Sequence, residues 1–370
     1  MTTPEDHNPY NLHMKRIVIA FAALGFLLAG CAPKEKISVS ARWTPEAAQA
    51  WYDAQPWLSG CDYIPASAIN QIEMWSADTW DPERIDQELG WAEELGFNTM
   101  RVFLSSVVYQ NDPDGLKSRM DAFLKICAGH GIRPLFVFFD DCWDPASAYG
   151  KQRDPRPGIH NSGWVQDPSK ALRADTTALY PVLEAYVKDI VGTFRGDERI
   201  LLWDLYNEPG NSGYGESSIP LVKNVFRWVR EGGVSQPVSI GVWNPSLPGL
   251  NAVQLAESDV VTYHDYSGDP DFQQHTIDTL RTYGRPIINT EYMARTRGCT
   301  FQKIMPILKA NNVGAINWGF VSGKTNTIFA WDTPLPDVVE PPVWFHDIFR
   351  QDHTPFSEEE IAVIRQCNGK

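Results

Sequence analysis

The stretch Trp203-Asp204-Leu205-Tyr206-Asn207-Glu208-Pro209 is an apolar, strand-like run that closes on a carboxylate, and Ile288-Asn289-Thr290-Glu291-Tyr292 repeats the arrangement much later in the chain. Two such glutamates, so far apart in sequence, can meet only in a fold that gathers strand ends. Working outward, strand-like runs are expected near Leu58–Tyr63, Thr99–Phe103, Pro134–Asp140, Leu201–Leu205, Val238–Val242, Val260–Tyr263, Ile287–Thr290 and Ala315–Trp318. Amphipathic stretches alternate with them: Pro82–Leu95, Leu116–His130, Leu179–Phe194, Leu221–Glu231 and Phe301–Asn311. In the first of these Ile85, Leu89, Ala92 and Leu95 keep helical spacing and Gly96 follows as a C-cap. Alternation of this kind predicts βαβ units and a parallel sheet, and eight runs match an α/β fold of the (β/α)8 TIM-barrel type, built as a single catalytic domain.

In such a barrel chemistry sits at the C-terminal ends of the strands, while the opposite face serves stability. The polar residues fall at those ends. Arg101 follows Asn98-Thr99-Met100, Asp140 and Asp141 close Phe136-Val137-Phe138-Phe139, and Asn207-Glu208 closes the fourth run. Trp243-Asn244 closes the fifth, His264-Asp265-Tyr266 the sixth, Glu291 the seventh and Trp318 the eighth.

These residues, in this order, resemble the clan A retaining glycoside hydrolases, and most of all family 5; the resemblance covers nearly everything after the leader. It implies that Glu208 of Asn-Glu-Pro is the acid/base, that Asn207 binds the sugar 2-hydroxyl, and that Glu291 is the nucleophile. It further implies that Arg101 orients the nucleophile, that His264 and Tyr266 form the His-x-Tyr pair beside the carboxylates, and that Trp318 floors the sugar site before the scissile bond. In that reaction one carboxylic acid protonates the departing oxygen while a carboxylate about 5–5.5 Å away attacks the anomeric carbon. Glu208 is then expected protonated, through burial and a neighbouring charge, and Glu291 ionised, held by Arg101 and Tyr266. The plainer alternatives are a rim salt bridge for the glutamates, a buried ion-pair partner for Arg101, a core imidazole for His264, and packing for Tyr266 and Trp318.

Other stretches are candidates for the substrate groove. Asn70-Gln71-Ile72-Glu73-Met74-Trp75 mixes polar and aromatic side chains that suit a sugar, Trp75 above all, and reads equally as a helix start. Trp143 and Trp164 lie in a long segment where Pro and Gly concentrate, and loops of that length tend to carry function. Trp243 and Asp140 are further candidates for sugar contact, with pairing to Arg101 the other use of Asp140 and Asp141. In the stretch 319–327 Lys324 or Asn326 is expected to contact a terminal sugar, with Trp331-Asp332 beyond. The 14 Trp are a high count for 370 residues; their faces suit sugar C–H surfaces, but most are expected to fill the core, and that is the favoured reading of any single one.

A net charge of −14 and the lack of any basic cluster exclude nucleic acid as a natural partner. None of the eight His forms HxH or HExxH, and no calcium loop, phosphate loop or dinucleotide fingerprint is present, so neither metal nor cofactor is expected. From Met14 a basic pair, the apolar run Ile17–Leu28 and Ala29-Gly30-Cys31 read as an export signal too short to span a bilayer. Leu28-Ala29-Gly30-Cys31 resembles a bacterial lipobox, which implies residues 1–31 as extension and signal, lipid attachment at Cys31, a flexible tether over 32–42, a catalytic domain over 43–370, and a location on a membrane in the periplasm or at the cell surface. The alternative is an ordinary cleaved signal. The other cysteines, Cys61, Cys127, Cys142, Cys299 and Cys367, have no framework spacing and are expected to be buried thiols. The expected partner is an oligo- or polysaccharide, cleaved with retention at a β-linkage of mannan, glucan or xylan type. A lipid-anchored glycan-binding protein on an inactive barrel, and a transglycosylase, are the alternatives.

Overall fold

A computed structural model describes residues 39–370. The leader, Cys31 and most of the expected tether lie outside the described residues. The end of that tether is already tied down: the Ser40 amide donates to the Arg230 carbonyl (2.9 Å) and Arg42 Nε to the Ser258 carbonyl (3.0 Å). The folded unit therefore begins before Trp43. Among the described residues no helix is long and apolar enough to cross a membrane.

Strands Ser59–Asp62 (β1), Thr99–Phe103 (β2), Leu135–Val137 (β3), Leu202–Asp204 (β4), Val238–Ser239 (β5), Val261–His264 (β6), Ile287–Glu291 (β7) and Gly314–Trp318 (β8) form one parallel sheet in the order β5-β4-β3-β2-β1-β8-β7-β6. A bridge between Val242 and Tyr263 joins its two edges, so the strands make a nearly closed (β/α)8 TIM barrel. Every expected strand is present. β3 and β5 are shorter than expected, and past β3 the ladder breaks near the site. Asp140 returns as an isolated bridge to both Asn207 and Asp167, its amide drawn to the Asp167 carbonyl at 2.7 Å.

The helices follow local chemistry. In Pro82–Leu95 the Asp81 side chain caps the Arg84 amide, Pro82 occupies the first turn, and Gly96 at φ +78° ends the helix in the left-handed conformation that a side chain would resist. Its buried face carries Ile85, Leu89, Ala92 and Leu95 as the spacing predicts, and also Glu88. Leu179–Phe194 buries Leu183, Tyr186, Val187, Ile190, Val191 and Phe194, an i, i+3, i+4 stripe. A helix that the sequence reading passes over, Pro45–Asp53, starts at the capping Thr44 and turns Tyr52 inward. Tyr52 packs with Leu58, Leu135, Leu202, Ile288 and Ile316, residues from the starts of several strands. It closes the N-terminal face of the barrel and leaves the other end to the site.

Candidate active site

Arg101 on β2 organises the C-terminal end of the barrel. Its side chain is 1% exposed, which removes the guanidinium from water and makes partners obligatory. It donates through Nη1 to Asp62 Oδ1 (2.8 Å) and Glu291 Oε1 (2.7 Å), through Nε to Asp204 Oδ2 (2.8 Å), and through Nη2 to Asn207 Oδ1 (2.8 Å). The partners come from β1, from β7 and from β4 with the residues just after it, so one cation ties β1, β2, β4 and β7 together. Asp140 and Asp141 do not take part. Asp140 accepts from Asn207 Nδ2 (3.0 Å) and Trp164 Nε1 (2.7 Å), and Asp141 binds Arg173, Tyr206, Gly210 and Ser218.

Three carboxylates around one cation leave a surplus of negative charge. Burial pushes the Asp62 carboxyl well above its ordinary range, Arg101 opposes the shift, and Glu291 and Asp204 add to it. Glu291, on β7, is raised by burial against the pull of His264 and Arg101. Its second oxygen accepts from Tyr266 Oη at 2.8 Å. Glu208 is raised by burial as well, and the Asn211 and Cys142 hydrogen bonds oppose the rise.

Glu208 has no cation against it. Oε1 meets His264 Nδ1 at 2.9 Å, and Oε2 accepts from Asn211 Nδ2 (2.6 Å) and Cys142 Sγ (3.3 Å). His264 reaches this position through a register shift in the β6–β7 ladder between Tyr263 and His264, which pairs His264 with Glu291; irregularities of this kind re-aim side chains next to active sites. Burial drives its pKa down to about 4, so the ring is neutral near pH 7. Glu208 itself sits at φ +42°, a strained conformation for a residue with a side chain. One ligand-capable atom each of Glu208, His264 and Glu291 lies within 4.8 Å of the others. The Arg101 guanidinium already bonded to Glu291 opposes a metal ion at this spot.

Above these groups opens a cavity of about 510 Å³ lined by Asp140, Asn207, Glu208, Glu291, Tyr266 and the indoles of Trp143, Trp164, Trp243, Trp318 and Trp331. Its size falls in the range of small-molecule sites.

Residues 65–323 match the family described as Cellulase (glycosyl hydrolase family 5). The chain belongs to glycosyl hydrolase family 5. This family 5 protein is therefore a glycoside hydrolase, and its partner is a saccharide. No curated protein matches the sequence. Among solved structures, the GH5_18 protein from Streptomyces cattleya in complex with GlcNAc is similar at a TM-score of 0.59 and 10% identity, over 84% of this chain and 79% of that one. The family 5 mannosidase from Rhizomucor miehei gives 0.54 at 15% identity, over 85% and 93%. The endo-β-1,4-mannanase from Thermotoga petrophila gives 0.56 at 12%, over 86% and 77%. At such identities the likeness is one of fold.

Most residues singled out from the sequence of this family 5 chain converge here. Glu208, Glu291, Arg101, Asn207, His264, Tyr266, Trp318, Trp243 and Asp140 all surround or underlie the cavity. Two do not. Trp75 is fully buried, its indole nitrogen donating to the Phe103 carbonyl at 2.7 Å; Asn70 caps the short helix Gln71–Trp75, so the helix-start reading of that stretch holds. Lys324 Nζ is occupied by Glu73 at 2.8 Å, outside the cavity wall, and Asn326 donates to the Arg156 carbonyl. Residues missed in the sequence include Asn211 and Cys142, the donors to Glu208, and Asp62 and Asp204, the partners of Arg101. For Asp204 a signal existed, since it is an acid inside the otherwise apolar run Leu201–Leu205. The five cysteines are buried free thiols, as expected.

Proposed function

We propose that this glycoside hydrolase cleaves β-glycosidic bonds with retention by double displacement. The separation of the carboxylates carries this reading: an oxygen of Glu208 lies within 4.8 Å of one of Glu291, where retaining enzymes hold their carboxyl groups about 5–5.5 Å apart and inverting ones about 6.5–9.5 Å apart. The environments separate the roles. Glu291, bonded to Arg101 and Tyr266, is the ionised nucleophile. Glu208, desolvated and bonded only to His264, Asn211 and Cys142, holds the proton and delivers it to the departing oxygen. Once the glycosyl–Glu291 ester forms, Glu208 takes a proton from water, which opens the ester. His264, neutral, meets Glu208 Oε1 through Nδ1 and holds that carboxyl in place. Trp318 lies under the sugar that is transferred.

β-Mannosides are the first substrates to examine, because the Rhizomucor mannosidase and the Thermotoga mannanase share this fold; glucans and xylans follow. Proton NMR of the first-formed product tests the mechanism. Retention gives the β-anomer before mutarotation, and an α-anomer appearing first would sink the double displacement. Sugar acceptors in the same assay separate hydrolysis from transglycosylation. The leader supports export with lipid attachment at Cys31, tested by labelled-palmitate incorporation in wild type against Cys31→Ala.

A further inference from the structure

The cavity is closed on one side by two loops fastened to each other. The loop after β3, residues 138–169, and that after β8, residues 319–357, carry no regular secondary element between them and the next helix. The Asn161 amide donates to the Thr325 carbonyl (2.8 Å) and the Leu335 amide to the Gly158 carbonyl (2.9 Å). His160 Nδ1 donates to the Phe329 carbonyl (2.7 Å), and Asn326 Nδ2 to the Arg156 carbonyl (2.9 Å). The close pass is written into the sequence: at Gly158, φ +65°, a Cβ would lie 1.9 Å from the Leu335 carbonyl oxygen.

Aromatic rings seal the joint. Trp164 stands edge-on to Trp318 at 5.7 Å and to Phe103 at 5.0 Å. Behind Trp164 and Trp318 the remaining space is about 20 Å³, enough for a single water molecule and far too little for a sugar ring. The chemistry gives the cavity a direction. The transferred sugar has its anomeric carbon at Glu291 and lies toward Trp318, while the departing oxygen meets Glu208. The leaving group then passes Asn211, Ser212 and Trp243, none of which belongs to the fastened loops; Ser212 is exposed to solvent. The closed side is the side of the transferred sugar.

On the reading that Glu208 and Glu291 are acid/base and nucleophile, we propose that the enzyme is exo-acting: it removes one sugar at a time from the non-reducing end of a β-linked chain. Asn161 reads that terminal sugar. It lines the cavity, is 3% exposed, and its Oδ1 has no hydrogen-bond partner in the protein. A buried amide oxygen without a partner is costly, and a hydroxyl of the terminal sugar satisfies it.

Three substrates test this with the full chain, in the β-manno, β-gluco and β-xylo series. These are a 4-nitrophenyl monoglycoside, a pentasaccharide labelled at the reducing end, and the same pentasaccharide methylated at the non-reducing O4. The expected result is release of monosaccharide alone from the labelled chain, stepwise shortening by one unit, and cleavage of the methylated chain slower by at least roughly 100-fold. Asn161→Gly, which suits the left-handed φ of that residue (+44°), is expected to raise KM for the monoglycoside roughly 10-fold. Early di- and trisaccharides, or equal cleavage of the methylated chain, with activity lost in Glu291→Gln, would overturn exo action and leave the glycosidase intact. No turnover in any series would overturn both.

Discussion

Two buried arginines divide the molecule by what surrounds them. Arg295, just after β7, meets one carboxylate: its Nε and Nη2 clasp both oxygens of Glu360 (3.0 and 2.6 Å), and its remaining donors reach the Trp344 and Asp347 carbonyls. Charge balances, each guanidinium nitrogen donates to an acceptor, and the arginine staples the loop after β8 to the helix Glu358–Asn368. Arg101 meets three carboxylates. The surplus lies out of reach of water: burial moves both Asp62 and Glu291 up in pKa, and at Asp62 the neighbouring Glu291 and Asp204 add to the rise. A balanced buried pair fixes a shape; an unbalanced cluster holds a group whose protonation can change, which is what acid–base chemistry requires.

The largest effect is expected at Glu291. Glu291→Gln removes one excess acid and is expected to lower kcat by at least about 10⁴-fold with a thermal midpoint equal to or above that of wild type. A markedly lower midpoint would show that Glu291 is structural, like Glu360.

Arg295→Met is the reverse experiment. Leaving Glu360 buried and unpaired is expected to cost about 3–5 kcal/mol in chemical denaturation, largely recovered in Arg295→Met/Glu360→Leu, with kcat/KM of the folded fraction unchanged. A changed kcat/KM in the double variant would join this pair to the site.

A finer test uses the pH profile. Glu291 must be ionised, so activity rises as pH passes its pKa, and Glu208 must be protonated, so activity falls as pH passes the pKa of Glu208. Burial raises both groups. Asn211 favours the ionised form of Glu208, so Asn211→Ala is expected to move the falling limb to higher pH and leave the rising limb in place. Movement of the rising limb instead would reverse the assignment.

The smallest effect belongs to Lys324→Ala. The half-exposed pair with Glu73 contributes less than about 1 kcal/mol, and KM is expected to stay as in wild type. A raised KM would return Lys324 to the substrate.

The strand-end residues were legible because a barrel makes one-dimensional order into three-dimensional neighbourhood. Arg101, Glu208, His264 and Glu291 needed only their places at strand ends. Trp75 misled because a polar–aromatic mixture describes both a sugar groove and a capped, buried helix, and only the partner of its indole nitrogen, the Phe103 carbonyl, decides. Asn211, Cys142 and Asn161 lie on loops with no period to read. The helix Pro270–Arg281 escaped for a related reason: its buried face holds only Gln273, Ile277 and Leu280, too few apolar side chains to mark a stripe.

The left-handed backbone at Glu208 sets the interests of the fold against those of the reaction. Strain of this kind costs of order 1–3 kcal/mol, and glycine or asparagine would relax it. A lineage under pressure only for heat resistance would gain by replacing the very side chain that moves the proton. Continued glutamate at this position under such pressure is thus a record of selection for turnover, legible in a melting curve.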